Sequence, residues 1–295
     1  MTKPIAGPIA DTKKPDLASP PGACDCHAHI FGPSDRFPYT EGRGYTPPDS
    51  PVEKYLAMLD AMGFERGVAV QGNAHGYDNA AILDAVKRFP KRLRAVAIVG
   101  PDTQPDDLVP LRAVGVAGLR FHHFYGEEKP NYTRGVGLDV FERLYPKMRD
   151  LGMHMQIWTD LRTLDDIADR IRELEIPVVM DHMGHQAIGA GTETPGFREL
   201  LGLLGEGKCW VKLSGAYRRS TDYPHYPDAR QYHDALVRTN PDQLVWGTDW
   251  PHPNVAAEKM PNDGVLLDLF NAWTPDAETR RRILVDNPAR LYGFD

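Results

Sequence analysis

The chain alternates short apolar runs with longer segments in which apolar residues recur at every third or fourth position. Short runs rich in Val, Ile and Leu are typical of buried strands, whereas the three-to-four spacing is typical of helices that pack one face on a core. Eight runs predict strands at residues 23–30, 66–71, 93–99, 116–121, 154–158, 177–182, 209–214 and 243–248. Helical patterns fall between nearly all of them.

The predicted helix at residues 50–63 carries the clearest signals for its two ends. Ser50 is the predicted N-cap, Pro51 the first helical residue, and Glu53 follows three positions after the cap, a combination that favours helix initiation. Gly63 lies just beyond the last helical residue, where glycine commonly ends a helix.

Eight buried strands, each followed by a helix, predict an α/β protein with a single (β/α)8 TIM barrel over residues 23–295. A doubly wound open sheet is the alternative fold, but it commonly has a Gly-rich phosphate loop, and no GxGxxG motif follows the first strand. Residues 1–22 are rich in proline and predict an extended N-terminal arm without the apolar segment of a secretory signal.

Composition narrows the possible partners. The 295 residues include 34 basic and 41 acidic side chains, and the resulting net charge of −7 argues against a nucleic-acid partner or an anionic membrane. No run reaches the roughly 20 apolar residues of a membrane span. Only three cysteines occur, as suits a reducing cytoplasm. We therefore expect a cytoplasmic protein that acts on a small molecule, and the oligomeric state stays open between a monomer and a small homo-oligomer.

Most histidines fall on one predicted face of the barrel. In this fold, chemistry takes place at the carboxyl ends of the strands and in the loops that follow them. Eight of the eleven histidines occupy such positions, although the strand assignment did not require it: His27, His29, His75, His122, His123, His182, His185 and His252. This distribution predicts a catalytic or metal-binding site at that end of the barrel.

The motif DCHAH in the first strand has a geometric consequence. Side chains alternate along a strand, so Asp25, His27 and His29 are predicted to point the same way, and the two imidazoles would meet at one ion or one substrate atom. An isolated pair of this kind is equally consistent with two hydrogen-bonded core histidines. Here, however, His182 ends the sixth strand and Asp249 follows the eighth, at the same end of the barrel.

Three imidazoles and one carboxylate are suited to two kinds of chemistry. His27, His29, His182 and Asp249 match the ligand types of one divalent metal ion, most readily zinc, with a position left for water. Without metal, the histidines would polarise a carbonyl group while Asp249 activates water as the general base. The residues by themselves leave both possibilities open.

Several motifs together resemble the amidohydrolase superfamily and, more closely, its lactonase branch. They are DxHxH in the first strand, QGNAH after the second, DHMGH after the sixth, GTDWPHPN after the eighth and NPARLYGF near the end of the chain. The resemblance implies a barrel that hydrolyses the lactone ring of an acidic substrate. It also implies Asp249 as general base, with His27, His29 and His182 around the carbonyl oxygen. Most amidohydrolases add a lysine or histidine after strand 4 or 5, but the fifth strand here ends QIWTD, so no two-metal site is expected.

The same resemblance implies how the acid groups of the substrate are held. Arg120 and Arg218 match two anion-binding arginines of the family, whereas His185 stands where the motif has arginine and Trp158 where it has tyrosine. These two departures weaken the match to a pyrone dicarboxylate as substrate, and a sulfomuconolactone or muconolactone-type ring from aromatic catabolism fits at least as well. Guanidinium groups suit carboxylates and sulfonates alike.

Three further residues are predicted to contact the substrate. Asn73 and His75 follow the second strand, where they would either orient the lactone or its acid group or close a loop, and His123 follows the fourth strand. The insert at residues 125–137 is long for its position and predicts a lid.

We interpret the chain as an enzyme that hydrolyses a small anionic lactone. Three alternatives remain: a decarboxylase of the same superfamily, an isomerase of sugar-acid lactones, and a non-catalytic metal-binding or scaffold protein.

Overall fold

A computed structural model describes residues 3–123, 136–185 and 189–294 and contains a barrel of eight parallel strands. The strands are β1 (Cys24–Ala28), β2 (Arg66–Val70), β3 (Leu93–Ala97), β4 (Val116–His123), β5 (His154–Thr159), β6 (Val178–Met180), β7 (Trp210–Leu213) and β8 (Leu244–Trp246). Each strand pairs with the next in chain order. All eight predicted strands are present, so the predicted α/β barrel is confirmed.

One helix follows each barrel strand. These helices are α1 (Val52–Met62), α2 (Ala80–Arg88), α3 (Leu108–Val114), α4 (Leu138–Asp150), α5 (Asp165–Glu173), α6 (Pro195–Gly205), α7 (Arg230–Thr239) and α8 (Asp263–Trp273). Two further helices, α9 (Ala277–Arg281) and α10 (Asn287–Tyr292), flank a π-helical turn. In the described part of the chain, no helix has both the length and the apolar character that a membrane span requires.

The barrel closes where β1 meets the chain after β8. The backbone N–H of Asp249 donates to the carbonyl of His27 (2.7 Å), and the N–H of His29 donates to the carbonyl of Trp250 (2.7 Å). Gly247 allows this approach, because a Cβ atom there would lie only 2.7 Å from the backbone nitrogen of His27. The closing seam therefore runs through the residues that are predicted to form the site.

A β-bulge in β1 corrects the prediction that Asp25 shares a face with the two histidines. The register against β2 shifts between Asp25 and Ala28, so the strand contains an extra residue that reverses the alternation. Asp25 instead faces α1, where it accepts a hydrogen bond from the Tyr55 hydroxyl (3.2 Å). Burial raises the pKa of Asp25 to about 6. The motif therefore supplies two site residues, not three.

The start of α1 also differs from the prediction. Ser50 forms two backbone hydrogen bonds with Phe31 (2.7 and 3.0 Å), and its hydroxyl donates to the carbonyl of Pro48 (3.2 Å). The residue that caps the helix is Pro51, and no side-chain cap forms. Ser50 is wrong as the N-cap because this local pairing holds it outside the helix, whereas Gly63 ends the helix as predicted, with φ of 73°.

The segment before β1 lies against the outside of the barrel. Lys3–Pro4 pairs in parallel with Tyr45–Thr46, and the backbone N–H of Asp16 donates to Asp268 of α8 (2.7 Å). The Ser19 hydroxyl donates to the carbonyl of Met62 at the end of α1 (2.7 Å). These contacts attach the segment to two neighbouring helices.

Candidate active site

Four predicted residues meet at the carboxyl ends of the strands. His27 lies in β1 and His29 directly after it, His182 begins a 3₁₀ turn after β6, and Asp249 follows β8. The ring centroid of His27 is 5.0 Å from that of His29 and 4.6 Å from that of His182. All four side chains are buried. The fold thus brings together residues that are separated by more than 200 positions in the chain.

The two oxygens of Asp249 have different surroundings. Oδ2 accepts hydrogen bonds from the Tyr217 hydroxyl (2.6 Å) and from Nε of Arg218 (2.6 Å). Oδ1 lies 3.5 Å from Nε2 of His29 and 3.7 Å from Nε2 of His27. Among the described residues, neither Oδ1 of Asp249 nor Nε2 of His27 has a hydrogen-bond partner. Buried polar atoms are rarely left unpaired, so this gap is suited to a water molecule, an ion or a substrate atom.

Each histidine is held through its other ring nitrogen. Nδ1 of His29 lies 2.8 Å from the carbonyl oxygen of Val70, and Nδ1 of His182 lies 2.9 Å from the Ser214 hydroxyl. Nδ1 of His27 lies 3.3 Å from Oδ1 of Asp181. Partners of this kind orient an imidazole and leave Nε2 directed at the centre, as is usual for metal-binding histidines.

A second group of charged and amide side chains lies beside His27. Asp181 accepts hydrogen bonds from Nε of Arg120 (2.9 Å) and from the Gln156 amide (2.9 Å). Lys212 is fully buried, donates to Oε1 of Gln156 (2.7 Å) and lies 3.3 Å from Nδ1 of His27. We did not predict Lys212 or Gln156 from the sequence. The available signal was a charged or amide side chain inside an otherwise apolar strand, because such residues are rarely buried without a specific role.

The electrostatics of the site keep Asp249 ionised and two of its histidines neutral. Burial alone would raise the pKa of Asp249, but Arg218 and the neighbouring imidazoles hold it well below its usual range. Burial, assisted by the charge of Lys212, lowers the pKa of His27 to about 3. Burial also holds the pKa of His182 well below its usual range. These are the protonation states that a general base and metal ligands require.

The backbone near the site adopts unusual conformations. Seven described residues other than glycine have positive φ, and six of them follow β6 or β8: His182, Met183, His185, Asp249, His252 and Asn254. Left-handed backbone is uncommon outside glycine, although His, Asp and Asn adopt it more readily than other residues, and it concentrates at functional sites. The two loops that carry His182 and Asp249 therefore share an unusual backbone conformation.

A small cavity opens beside three of these four residues, His29, His182 and Asp249. Five of the predicted substrate-binding residues line it: Asn73, Arg120, Trp158, His185 and Arg218. The side-chain amide of Asn73 is buried, and neither its nitrogen nor its oxygen has a hydrogen-bond partner among the described residues. Asn73 is thus well placed to bind a polar ligand atom.

Two predicted substrate-binding residues do not line this cavity. Nε2 of His75 accepts a hydrogen bond from the backbone of Gly32 (3.1 Å), and its Nδ1 lies 3.2 Å from the carbonyl oxygen of Pro38. His75 therefore braces a loop, which was the alternative interpretation of its position. Nε2 of His123 lies 3.8 Å from the Asp166 carboxylate, outside the cavity. Residues 124–135 lie outside the described part of the chain, and with them most of the predicted lid at 125–137.

The two predicted anion-binding arginines already contact carboxylates. Arg120 pairs with Asp181, and Arg218 pairs with Asp249. Arg218 therefore binds the predicted base, Asp249, directly. Sequence reasoning missed its neighbours Tyr217 and Arg219, although both lie in the GAYRRS segment directly after β7.

Comparison with known proteins extends over nearly the whole chain. A family model described as Amidohydrolase matches residues 24–294. The 4-sulfomuconolactone hydrolase of Hydrogenophaga intermedia is 40% identical over 276 residues, which cover 93% of this chain and 89% of that protein. The 2-pyrone-4,6-dicarboxylate hydrolase of Comamonas testosteroni is 35% identical over 292 residues, which cover 96% of this chain and 94% of that protein. The crystal structure of a probable 2-pyrone-4,6-dicarboxylic acid hydrolase from Acinetobacter baumannii, with citric acid bound, has a TM-score of 0.77 at 26% identity and covers 92% of this chain and 100% of that chain.

Proposed function

Because the chain belongs to the amidohydrolase family and is 40% and 35% identical to two lactone hydrolases, we propose that it hydrolyses an acidic lactone formed during the breakdown of aromatic compounds. The observation that carries the proposal is Oδ1 of Asp249, which has no hydrogen-bond partner among the described residues and faces Nε2 of His27 and of His29. This arrangement leaves one carboxylate oxygen and imidazole nitrogens available to a substrate.

The chain's own residues account for the proton transfers of ring opening. A water molecule beside Oδ1 of Asp249 gives up a proton to that oxygen as it attacks the lactone carbonyl carbon. Tyr217 and Arg218 hold Oδ2 and so aim Oδ1 at the water. The histidine Nε2 atoms surround the carbonyl oxygen, where negative charge develops. The ring C–O bond then breaks, and the departing oxygen takes up the proton.

The described residues also fit one divalent metal ion. His27, His29 and Asp249 offer ligand atoms that lie within 4.8 Å of one another, and His27, Asp181 and His182 form a second such group. Zinc accepts this mixture of imidazole and carboxylate ligands. We propose that His27, His29 and His182 hold the ion, with Asp249 bound weakly or through water. Such an ion would supply hydroxide near neutral pH by lowering the pKa of bound water to about 7.

The proposed substrate carries at least one acid group. The names of the two relatives specify a sulfonated lactone and a pyrone with two carboxylates, and the related crystal structure binds citric acid. Arg120 and Arg218 add positive charge to the cavity lining. We expect a sulfonated or carboxylated ring to react faster than its neutral ester.

A pH-indicator assay tests the proposed function. 4-Sulfomuconolactone, 2-pyrone-4,6-dicarboxylate, muconolactone and galactarolactone are each incubated with the protein, and Asp249→Asn provides the background rate. Hydrolysis at neutral pH releases one proton per ring, whereas isomerisation between lactones releases none and decarboxylation releases carbon dioxide. Acid release from none of these compounds would rule out the proposal, and product analysis by mass spectrometry would identify an isomerase or a decarboxylase.

The metal is tested separately. Metal content is measured in the purified protein, a chelator removes the ion, and zinc is added back during the same assay. We expect activity to fall on chelation and to return with zinc. Full activity in rigorously metal-free protein would show that the four residues act without an ion.

A further inference from the structure

A second, larger cavity adjoins the catalytic cavity. The two share His185 and Arg218 as lining residues, so they are neighbours across these two side chains. The second cavity is also lined by Arg219, Ser220 and Lys259, and hence by cationic and hydroxyl groups. The mechanism above uses two of its lining residues, Tyr217 and Arg218, but not Arg219, Ser220 or Lys259.

Arg219 is the unusual residue in this cavity. Its side chain is only 5% exposed, yet it pairs with no carboxylate within 4.0 Å among the described residues. One nitrogen, Nη2, donates to Nδ1 of His185 (3.0 Å), and Nε has no hydrogen-bond partner there. Burial and the neighbouring Arg218 lower the pKa of Arg219 to about 10, so it remains charged at neutral pH. A buried charge without a counter-ion is costly, which points to an anionic ligand.

The neighbouring groups provide further donors. Nδ1 of His185 accepts hydrogen bonds from both Trp158 (3.3 Å) and Arg219 (3.0 Å), which holds one guanidinium nitrogen of Arg219 against the wall that the two cavities share. The Ser220 hydroxyl accepts from the backbone of Asp222 (3.0 Å) and keeps its own proton for donation. Lys259 lies exposed at the edge of the cavity. This set matches an oxyanion with several oxygens.

We propose that Arg219, Ser220 and Lys259 form an anion subsite for an acid group of the substrate distant from the scissile ester. The inference rests on the proposed function, because it identifies a second acid group on the same lactone. Arg218 is already bound to Asp249, whereas Arg219 has donors available. A sulfonate has three oxygens for these donors and a carboxylate only two, so the subsite favours sulfonates.

Equilibrium binding of inert analogues tests the subsite without any turnover. Calorimetry compares 4-sulfobenzoate with benzoate, which lacks the second acid group, in the parent protein and in Arg219→Gln. In the parent we expect 4-sulfobenzoate to bind more tightly. In Arg219→Gln its affinity falls roughly 10- to 100-fold, the effect of one charge-assisted pair, and the difference from benzoate disappears. Arg198→Gln, which removes an exposed arginine of α6, is the matched control and retains the difference.

The outcomes separate the subsite from the proposed function. An unchanged difference between the two ligands in Arg219→Gln overturns the subsite, even if lactones are hydrolysed. Loss of the difference supports it, even if no lactone in the panel reacts. Terephthalate, which has a carboxylate in place of the sulfonate, identifies the preferred acid group. If Arg219→Gln loses as much affinity for terephthalate as for 4-sulfobenzoate, the subsite also accepts carboxylates. If Arg219→Gln does not fold, Arg219→Lys keeps the charge without the planar donors. The affinity of Arg219→Lys for 4-sulfobenzoate is then expected to lie between the affinities of the parent for 4-sulfobenzoate and for benzoate.

Discussion

Two buried carboxylates at the same end of the barrel, Asp181 and Asp249, differ in how completely they are bonded. Both are almost fully buried, and arginine holds the pKa of each well below its usual range against the effect of burial. The Gln156 amide contacts both oxygens of Asp181, and Arg120 binds one of them. Asp249 has two donors on Oδ2, whereas Oδ1 has no hydrogen-bond partner among the described residues.

This difference supports the proposal that Asp249, and not Asp181, is the reactive carboxylate. Burial and a lowered pKa occur at both residues, so neither property distinguishes them. What distinguishes Asp249 is an oxygen that has no hydrogen-bond partner among the described residues and faces the imidazoles of His27 and His29. Asp181, with both oxygens occupied, is suited to orient His27 and to neutralise the buried charges of Arg120 and Lys212.

The largest expected effect comes from Asp249→Asn. The amide cannot accept the proton of the attacking water, and loss of a general base lowers kcat by about 10²–10⁴. Steady-state kinetics on the lactone identified by the screen provides the measurement, and circular dichroism should show an unchanged fold. A kcat within a few-fold of the parent would mean that Asp249 is not the base.

Asp181→Asn should have its main effect on stability. Removing the carboxylate leaves Arg120 and Lys212 buried without their counter-charge, and breaking a buried pair in this way costs about 3–5 kcal/mol. Urea denaturation measures the free energy of unfolding. If kcat of the folded variant instead fell as far as in Asp249→Asn, the proposed division between a bonded and a reactive carboxylate would be wrong.

Arg218→Ala should change both the rate and its pH dependence. The guanidinium stabilises ionised Asp249, so its removal raises the pKa of that carboxyl, and activity is then lost at a higher pH as the solution is acidified. We expect kcat/KM to fall roughly 10- to 100-fold, as for loss of one charge-assisted bond. Arg120→Ala is the control, because Arg120 pairs with Asp181. A pH profile that shifts equally in both variants would contradict the assignment.

Ser214→Ala should have the smallest effect. The Ser214 hydroxyl contacts Nδ1 of His182, the outer nitrogen of that ring (2.9 Å). Losing one such hydrogen bond costs about 0.5–1.5 kcal/mol, which corresponds to a decrease in kcat of about 2- to 10-fold. Ser214→Thr keeps the hydroxyl and should retain more activity. Equal kcat values in Ser214→Ala and the parent would show that His182 needs no support from this residue.

Much of the candidate site was predictable because strand positions are encoded locally. Apolar periodicity located the eight strands to within about two residues, and in a barrel every strand ends on the same face. His27, His29, His182 and Asp249 therefore had to lie near one another once the strands were known. The partners of those residues were not predictable in this way. Arg218 and Lys212 are both basic, yet one binds the predicted base and the other lies beneath His27.

By itself the sequence determined the order of strands and helices, the end of the barrel at which the candidate site lies, and the residue types gathered there. Tertiary structure alone decided the direction of Asp25, which a bulge in β1 turns toward α1. It also decided which oxygen of Asp249 lacks a hydrogen-bond partner, and that Arg219 is buried away from any carboxylate, within the part of the chain that the structure describes. The reason is physical: periodicity reports the local backbone, whereas hydrogen bonds between distant strands depend on register and on loop conformation, which form only when the barrel closes.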